Sequence, residues 1–177
     1  MVHLFHDLPM GNDDFTQVNA IIEIPKDSYV KYEFDKELNT IMVDRIGKTP
    51  IAYNFNYGFI PQSHNEDDGD PLDVIVLSRF PFVPGCVVPC RVVGWLKMID
   101  SGEYDYKVLA VADDKYYDHV QDIEDVHTKE KEDIYYFMQH YKDLHNKTIV
   151  LEGWDNKATA IEVLKDCKSQ YKVKYNK

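Results

Sequence analysis

The chain has 177 residues, a formal charge of −11, 44% hydrophobic residues and a pI near 5.0. This length predicts one domain, residues 1–177, that can bury about 70% of its unfolded surface without disulfides or structural zinc. The acidic balance argues against nucleic acid and anionic membranes as general partners. No run approaches the roughly 18 apolar residues of a membrane span, and residues 1–10 lack the apolar stretch of a signal peptide.

Alternating or continuous apolar runs between turn residues predict strands in the first two thirds of the chain. These segments are Gln17–Ile24, Tyr29–Phe34, Thr40–Asp44, Asp73–Ser78, Val87–Met98 and Asp105–Ala112. Pro89 and Gly94 interrupt the longest segment and predict a bulge or bend there.

The last third of the sequence is mostly helical in pattern. Lys129–Lys142 has a stripe with helical spacing, formed by Ile134, Phe137, Met138 and Tyr141. Lys147–Gly153 predicts a strand, and Asp155 or Asn156 can cap a final helix. The apolar stripe of that helix is expected at Ala158, Ile161, Leu164 and Cys167. Many short strands followed by helix, strand and helix predict an α+β, mainly β fold: a small barrel with helices packed on it.

Cysteine usage points to an intracellular protein. The three cysteines are odd in number, so no disulfide framework is expected, and we predict a cytoplasmic location. Cys86 and Cys90 flank Val-Val-Pro with no His nearby. A zinc pair is one interpretation of this spacing, and buried free thiols are the other.

The segment Asp68–Asp73 is the strongest chemical signal, since it holds three carboxylates within six residues. Glu66 and Asp67 add two acids just upstream. Like charges this close repel, so a cation is expected among them. Oxygen ligands at short spacing suit Mg²⁺, Mn²⁺ or Ca²⁺ rather than zinc.

Gly69 and Pro71 shape this segment, because one permits left-handed geometry and the other restricts the backbone. A compact turn would let Asp68, Asp70 and Asp73 converge at the start of the following strand. A solvated acidic loop is the alternative. An EF-hand fits poorly, since no glycine falls on its sixth position.

Other candidate groups are ambiguous one by one. Asp100 and Asp105 lie across a short turn, and Asp105 shares a strand face with Lys107, but acids at a hairpin tip are commonplace. Lys31 shares a strand face with Glu33, and Arg45 is typical of a surface ion pair. Lys142, near a helix end, is typical of compensation of the helix dipole. The stretch from Tyr53 to Gly58 is typical of a packed turn or of hydroxyl donors facing an anion.

Together these motifs resemble those of the soluble type I inorganic pyrophosphatases of prokaryotic type. The family pattern Asp-x-Asp-Pro-apolar-Asp-apolar is matched by Asp68–Val74. Further blocks agree in order and spacing: Glu23-Ile24-Pro25, Lys31-Tyr32-Glu33, Asp44-Arg45, Asn56-Tyr57-Gly58, Pro84-Gly85, Lys97-Met98, Asp105-x-Lys107, His140–Leu144 and Glu152-Gly153-Trp154.

The resemblance implies a five-stranded, OB-like closed barrel with flanking helices. It also implies Mg²⁺-dependent hydrolysis of pyrophosphate to two orthophosphates, with Mn²⁺ or another divalent ion possible, and a homohexamer. The implied reaction is attack by a water shared between divalent ions, with an aspartate as general base.

The resemblance also implies roles for individual residues. Metal ligands fall on Asp68, Asp73, Asp100 and Asp105. The general base falls on Asp70, and Arg45, Tyr57 and Lys142 are the other catalytic groups. Phosphate contacts fall on Lys31, Arg45, Tyr57, Lys107, Tyr141 and Lys142. Glu23, Glu33 and Tyr53 are expected to support the site.

Two positions depart from the family pattern. Asn54 stands where the family often has proline, and Ser101 stands where an acid often occurs. These two departures affect the loop shape and the metal affinity that the resemblance implies. Two other functions stay open at the sequence level: a module that binds Ca²⁺ or an acidic ligand without turnover, and a hydrolase of nucleotides or polyphosphate.

Overall fold

A computed structural model describes residues 2–145 and 147–176, and within these ranges it contains nine strands and two α-helices. The strands are β1 Gln17–Ile24, β2 Val30–Asp35, β3 Thr40–Ile46, β4 Asn56–Phe59, β5 Asp73–Leu77, β6 Val87–Asp100, β7 Glu103–Tyr104, β8 Lys107–Ala112 and β9 Ile149–Asn156. The helices are α1 Thr128–His140 and α2 Lys157–Tyr175.

Five strands form a closed ring in the order β1-β4-β5-β8-β6, since β6 pairs back with β1. The β5–β8 pair is parallel, and the other pairs in the ring are antiparallel. Strands β7 and β9 pair antiparallel with β6 outside the ring, while β2 and β3 form a separate hairpin. The expected α+β class with a five-stranded, OB-like sheet and flanking helices is confirmed.

The ring strands are buried on both faces, which explains their nearly continuous apolar runs. In β5, Ile75 packs in the same cluster as Phe137 of α1, whereas Val74 packs in the cluster that contains Leu164 of α2. Successive side chains of a strand point to opposite faces. The two helices therefore cover opposite sides of the sheet.

Strand β4 was not predicted from the sequence, where the stretch from Tyr53 to Gly58 was interpreted as a packed turn or as hydroxyl donors facing an anion. Asn56–Phe59 is instead a fully buried strand between β1 and β5. It is short, and it contains an asparagine and Gly58, which weaken any strand pattern. The glycine is needed for packing, because a Cβ atom there would stand 1.9 Å from the Ile21 carbonyl oxygen.

The bulge expected in the longest strand is present, since the register of β6 against β8 shifts between Val92 and Gly94. A side chain at Gly94 would meet the Asp155 carbonyl oxygen at 2.7 Å. Gly94 therefore allows β9 to approach β6 closely. The strand also runs two residues further than predicted and includes Asp100.

The buried stripe of α2 differs from the prediction. It consists of Ala160, Leu164, Cys167 and Tyr171, whereas Ala158 is exposed and Ile161 only partly buried. The C-terminal half of the helix packs on the N-terminal segment, where the rings of Tyr171 and Phe5 lie 5.4 Å apart. Asn156 is the N-cap, and its side chain accepts a hydrogen bond from the Thr159 backbone. Neither helix has a stretch that is long and apolar enough to cross a membrane, within the described ranges.

Candidate active site

One polar cleft of about 260 Å³ lies where the ends of several ring strands, the β2–β3 hairpin and the end of α1 meet. All fourteen residues to which the family resemblance gave roles line it. They are Glu23, Lys31, Glu33, Arg45, Tyr53, Tyr57, Asp68, Asp70, Asp73, Asp100, Asp105, Lys107, Tyr141 and Lys142. Residues up to 119 positions apart in the chain are thus brought together, although their individual roles stay predictions.

The parallel pairing of β5 with β8 forms the floor of the cleft, because its register places Asp73 opposite Lys107. The Lys107 ammonium group contacts the carboxylates of both Asp73 and Asp105. Lys107 is only 1% exposed. Burial alone would lower the pKa of Lys107, but the charges of Asp105 and Asp73 raise it. The lysine is therefore a fixed positive charge between two carboxylates.

Tyr57 extends this network from β4. Its hydroxyl donates a hydrogen bond of 2.6 Å to Asp73 Oδ2, and its ring lies under the Lys107 ammonium group at 5.7 Å. Burial, together with the Asp73 charge, raises the pKa of Tyr57 well above its usual value. The phenol therefore keeps its proton at neutral pH, as a hydrogen-bond donor to an anion must.

The acidic loop between β4 and β5 forms the compact turn predicted from its sequence. Gly69 adopts φ = +82°, a conformation that suits glycine. The Asp70 backbone donates to Asp68 Oδ1 at 3.0 Å. Burial, with the charges of Asp105 and Asp73, raises the pKa of Asp68 to about 7. Asp68, Asp70 and Asp73 all line the cleft, while Glu66, Asp67 and Asp70 are exposed.

The β2–β3 hairpin contributes two cations to one wall. Lys31 is paired in register with Arg45 across the two strands. The Lys31 ammonium group contacts Glu33 and lies 3.1 Å from Asp44, and Arg45 Nη1 lies 2.7 Å from the same Asp44 carboxylate. Asp44 therefore holds the two cations next to each other, since both contact the same carboxylate oxygen.

The end of α1 also contributes side chains to the cleft. Tyr141 caps the helix, and Lys142 follows it and contacts Asp100. Burial lowers the pKa of Lys142, and the Asp100 contact only partly offsets this effect. The Tyr141 ring stacks on Phe137 at 5.2 Å and lies 6.4 Å from the Tyr53 ring. These ring contacts fix the two phenols at the edge of the cleft.

Glu23 is the most deeply buried carboxyl group in the cleft and is 8% exposed. One of its oxygens accepts a hydrogen bond of 2.7 Å from the Phe34 backbone. Burial and the nearby Asp73 charge raise its pKa to about 8. Glu23 is therefore largely protonated at pH 7 unless a cation lies close by.

Lys36 and Glu103 also line the cleft and were not singled out from the sequence. Lys36 Nζ lies 2.8 Å from Asp70 Oδ1. Its position in the polar turn between β2 and β3 gave no sign of this contact, because the turn reaches the acidic loop only in the folded chain. Glu103 belongs to β7, a strand of two residues that the sequence pattern showed as a turn.

The cleft contains eight carboxyl groups and five cationic side chains. Within residues 2–145 and 147–176, no three His, Cys, Asp or Glu side chains are arranged to hold a metal ion as they stand. Ammonium groups from Lys107 and Lys142 contact three of the four predicted ligands. The donor chemistry nevertheless fits Mg²⁺ or Mn²⁺, because carboxylate oxygens dominate the cleft. Cys86 and Cys90, by contrast, are free thiols outside this cleft.

Comparison with known proteins agrees with this arrangement. The family profile described as inorganic pyrophosphatase matches residues 20–172. Inorganic pyrophosphatase from Xylella fastidiosa is 46% identical over 167 residues, which are 92% of this chain and 93% of that protein. The protein of that name from Rickettsia bellii is 44% identical over 161 residues, covering 88% and 90% of the two chains. The crystal structure of inorganic pyrophosphatase from Thermus thermophilus superposes with a TM-score of 0.91 at 40% identity, over 97% of this chain and 99% of that one. The chain therefore belongs to the inorganic pyrophosphatase family, as its motifs suggested.

Proposed function

We propose that the cleft hydrolyses inorganic pyrophosphate to two orthophosphates with the help of divalent cations, Mg²⁺ in the first place. The main observation behind this proposal is that clustered carboxylates and several cationic side chains line the same cleft of about 260 Å³. The carboxylates suit divalent cations, and the lysines, arginine and phenols suit a small, highly charged anion. Family membership supports the same substrate.

Asp68, Asp73, Asp100 and Asp105 are the residues that would hold the cations. Divalent cations bound there would neutralise part of the pyrophosphate charge and make the attacking water more acidic. Lys107 and Lys142 already partly neutralise these carboxylates. Cation binding would therefore have to compete with two ammonium groups.

Asp70 is the proposed general base. Its side chain is 60% exposed at the mouth of the cleft, and its contact with Lys36 leaves it accessible to water. The water oxygen bonds to one phosphorus while the bridging P–O bond breaks, and Asp70 takes the water proton and returns it to a phosphate product. General-base assistance of this kind contributes about 10²–10⁴-fold to rates.

The cationic walls act on the leaving phosphate. Lys31, Arg45, Tyr141 and Lys142 all line the cleft. Negative charge grows on the leaving phosphate as the bridging bond breaks, so preoriented donors stabilise the transition state more than the bound substrate. Tyr57 and Lys107 hold Asp73 in a fixed orientation on the cleft floor.

Release of orthophosphate from pyrophosphate and from ATP, each with Mg²⁺, tests the proposal. We expect rapid release from pyrophosphate and at least 100-fold slower release from ATP, since the small cleft offers no track for a nucleoside. Cation binding without turnover would favour a binding module, and preferred cleavage of ATP would favour a nucleotide hydrolase.

The role of Asp70 needs a separate test. Asp70→Asn preserves the size of the side chain but removes its basicity, so turnover at saturating Mg²⁺ should fall by about 10²–10⁴-fold. Glu66→Gln is a matched control, because this acid is exposed in the same loop and lies outside the cleft. If Asp70→Asn turned over pyrophosphate at the rate of the control, another group would have to be the base.

The assembly and location are further parts of the proposal. We expect a homohexamer, as the family resemblance implies, and light scattering should give about six times 20.7 kDa. Exposed apolar side chains such as Ile46, Val83 and Val173 are compatible with subunit contacts. The three free thiols are compatible with the reducing cytoplasm.

A further inference from the structure

Asn65 is a buried polar residue next to the cleft that the proposed reaction does not use. It is 4% exposed and precedes the acidic loop. Its backbone closes this loop, since its N–H donates to the Asp70 carbonyl at 2.8 Å and its carbonyl accepts from Gly69 at 2.9 Å. These two bonds fix the turn that carries Asp68 and Asp70.

The side chain of Asn65 reaches in two directions. Its Nδ2 donates a 2.8 Å hydrogen bond to the Tyr104 carbonyl oxygen in β7, and its Oδ1 accepts from the Asp67 backbone at 3.4 Å. Tyr104 immediately precedes Asp105, whose backbone is bonded to Met98 of β6 at 2.9 Å. A single carboxamide thus connects the two acidic segments that lie far apart in sequence.

We propose that Asn65 is a positioning residue that sets the separation between the Asp68–Asp73 loop and the Asp100–Asp105 turn, and thereby the affinity for divalent cations. This inference rests on the proposed function, because it concerns the residues expected to hold the cations. A divalent cation demands close approach of carboxylates that repel one another. A buried hydrogen bond that holds both segments in place removes part of the reorganisation that binding would otherwise require.

Two substitutions test the contacts of the side chain, which also lowers the pKa of the neighbouring Asp68 by hydrogen bonding. Asn65→Leu is close in size and removes all of these contacts. Asn65→Ser keeps a hydroxyl acceptor for the Asp67 backbone but is too short to reach Tyr104, so it removes the connection with less disturbance of the core. Both should weaken cation binding, and the serine variant keeps the test available if the leucine variant does not fold.

Asn56→Leu is the matched control. Asn56 is also buried, and its carboxamide likewise connects two segments, donating to Phe80 at 3.0 Å and accepting from Lys26 and Phe82 at 3.1 and 2.8 Å. These contacts involve no residue of the acidic segments. The control should therefore lose stability in a similar way without losing affinity for cations.

The measurement is isothermal titration of each full-length variant with Mn²⁺ in the absence of substrate. We expect about tenfold weaker binding for both Asn65 variants and wild-type binding for Asn56→Leu. In activity assays of the two Asn65 variants, the Mg²⁺ concentration for half-maximal activity should also rise about tenfold. Their turnover numbers at saturating Mg²⁺ should stay within about threefold of wild type. Wild-type cation affinity in Asn65→Leu and Asn65→Ser would overturn the inference and leave the proposed function standing. Failure of the wild-type protein to bind Mn²⁺ would instead overturn the proposed function.

Discussion

Substitution of Lys107 by methionine removes the positive charge from the cleft floor with little change in side-chain length. The ammonium group is buried between Asp73 and Asp105, so the variant leaves two carboxylates close together without their shared partner. Removal of one member of a buried ion pair typically costs about 3–5 kcal/mol. Both carboxylates keep some contact with water, with side-chain exposures of 25% and 17%, so we expect a value near about 3 kcal/mol.

Cations and protons should both reduce this loss of stability. Mg²⁺ can replace the missing positive charge, so it should stabilise Lys107→Met more than wild type. Burial raises the pKa of Asp73 and the Lys107 charge lowers it, so loss of this lysine should raise the pKa of Asp73 further. An acid whose pKa is raised in the folded state favours that state as pH falls. The difference between variant and wild type should therefore shrink when the pH is lowered towards the usual carboxyl range.

Urea denaturation in EDTA and in millimolar Mg²⁺, at neutral and mildly acidic pH, measures these effects. Lys172→Met is the control, since Lys172 is an exposed lysine in the last turn of α2 and should change stability little. A loss below about 1 kcal/mol in EDTA, as for an exposed ion pair, would refute the reasoning. So would a loss that Mg²⁺ leaves unchanged.

Two other changes test single groups of the cleft. The pKa of Glu23 is raised from 4.5 to about 8 in the folded protein, so its carboxyl group makes the unfolding free energy fall as pH rises between these values. Glu23→Gln should flatten this decline, as measured by urea titrations in EDTA at pH 5 to 9. An equal dependence of the unfolding free energy on pH in the two proteins would contradict the assignment. Tyr57→Phe removes the 2.6 Å hydrogen bond to Asp73, which should lower stability by about 1.5–3 kcal/mol and turnover by about tenfold. Tyr116→Phe is the control, because Tyr116 is exposed. Identical turnover in both variants would show that the phenol does not orient Asp73.

Most of the fold follows from local patterns in the sequence. Strand β1 has the predicted bounds, and α1 ends two residues before the predicted end, because Tyr141 caps it. Strand β4 was not predictable from its own residues, since four residues with Gly58 show no period. Its strand geometry comes from pairing on both sides, which is tertiary information. The buried face of α2 depends in the same way on the N-terminal segment that packs against Tyr171.

The candidate site was predictable as a set of residues but not as a network. The resemblance to the family indicated all fourteen side chains, and the folded chain brings them into one cleft. The ion pairs of Lys107 and Lys142 with the predicted metal ligands depend on side-chain placement, which a motif does not specify. Lys36 and Asn65 were missed because their contacts are distant in sequence. Lys36 contacts Asp70, and Asn65 donates to the backbone carbonyl group of Tyr104, which no side-chain motif can show.

Release of phosphate from pyrophosphate during removal and restoration of Mg²⁺ tests the central claim most directly. The account predicts two orthophosphates per pyrophosphate with Mg²⁺, no measurable release in excess EDTA, and full recovery when Mg²⁺ is restored. Release that continues unchanged in EDTA, or no release at any Mg²⁺ concentration from folded protein, would contradict it.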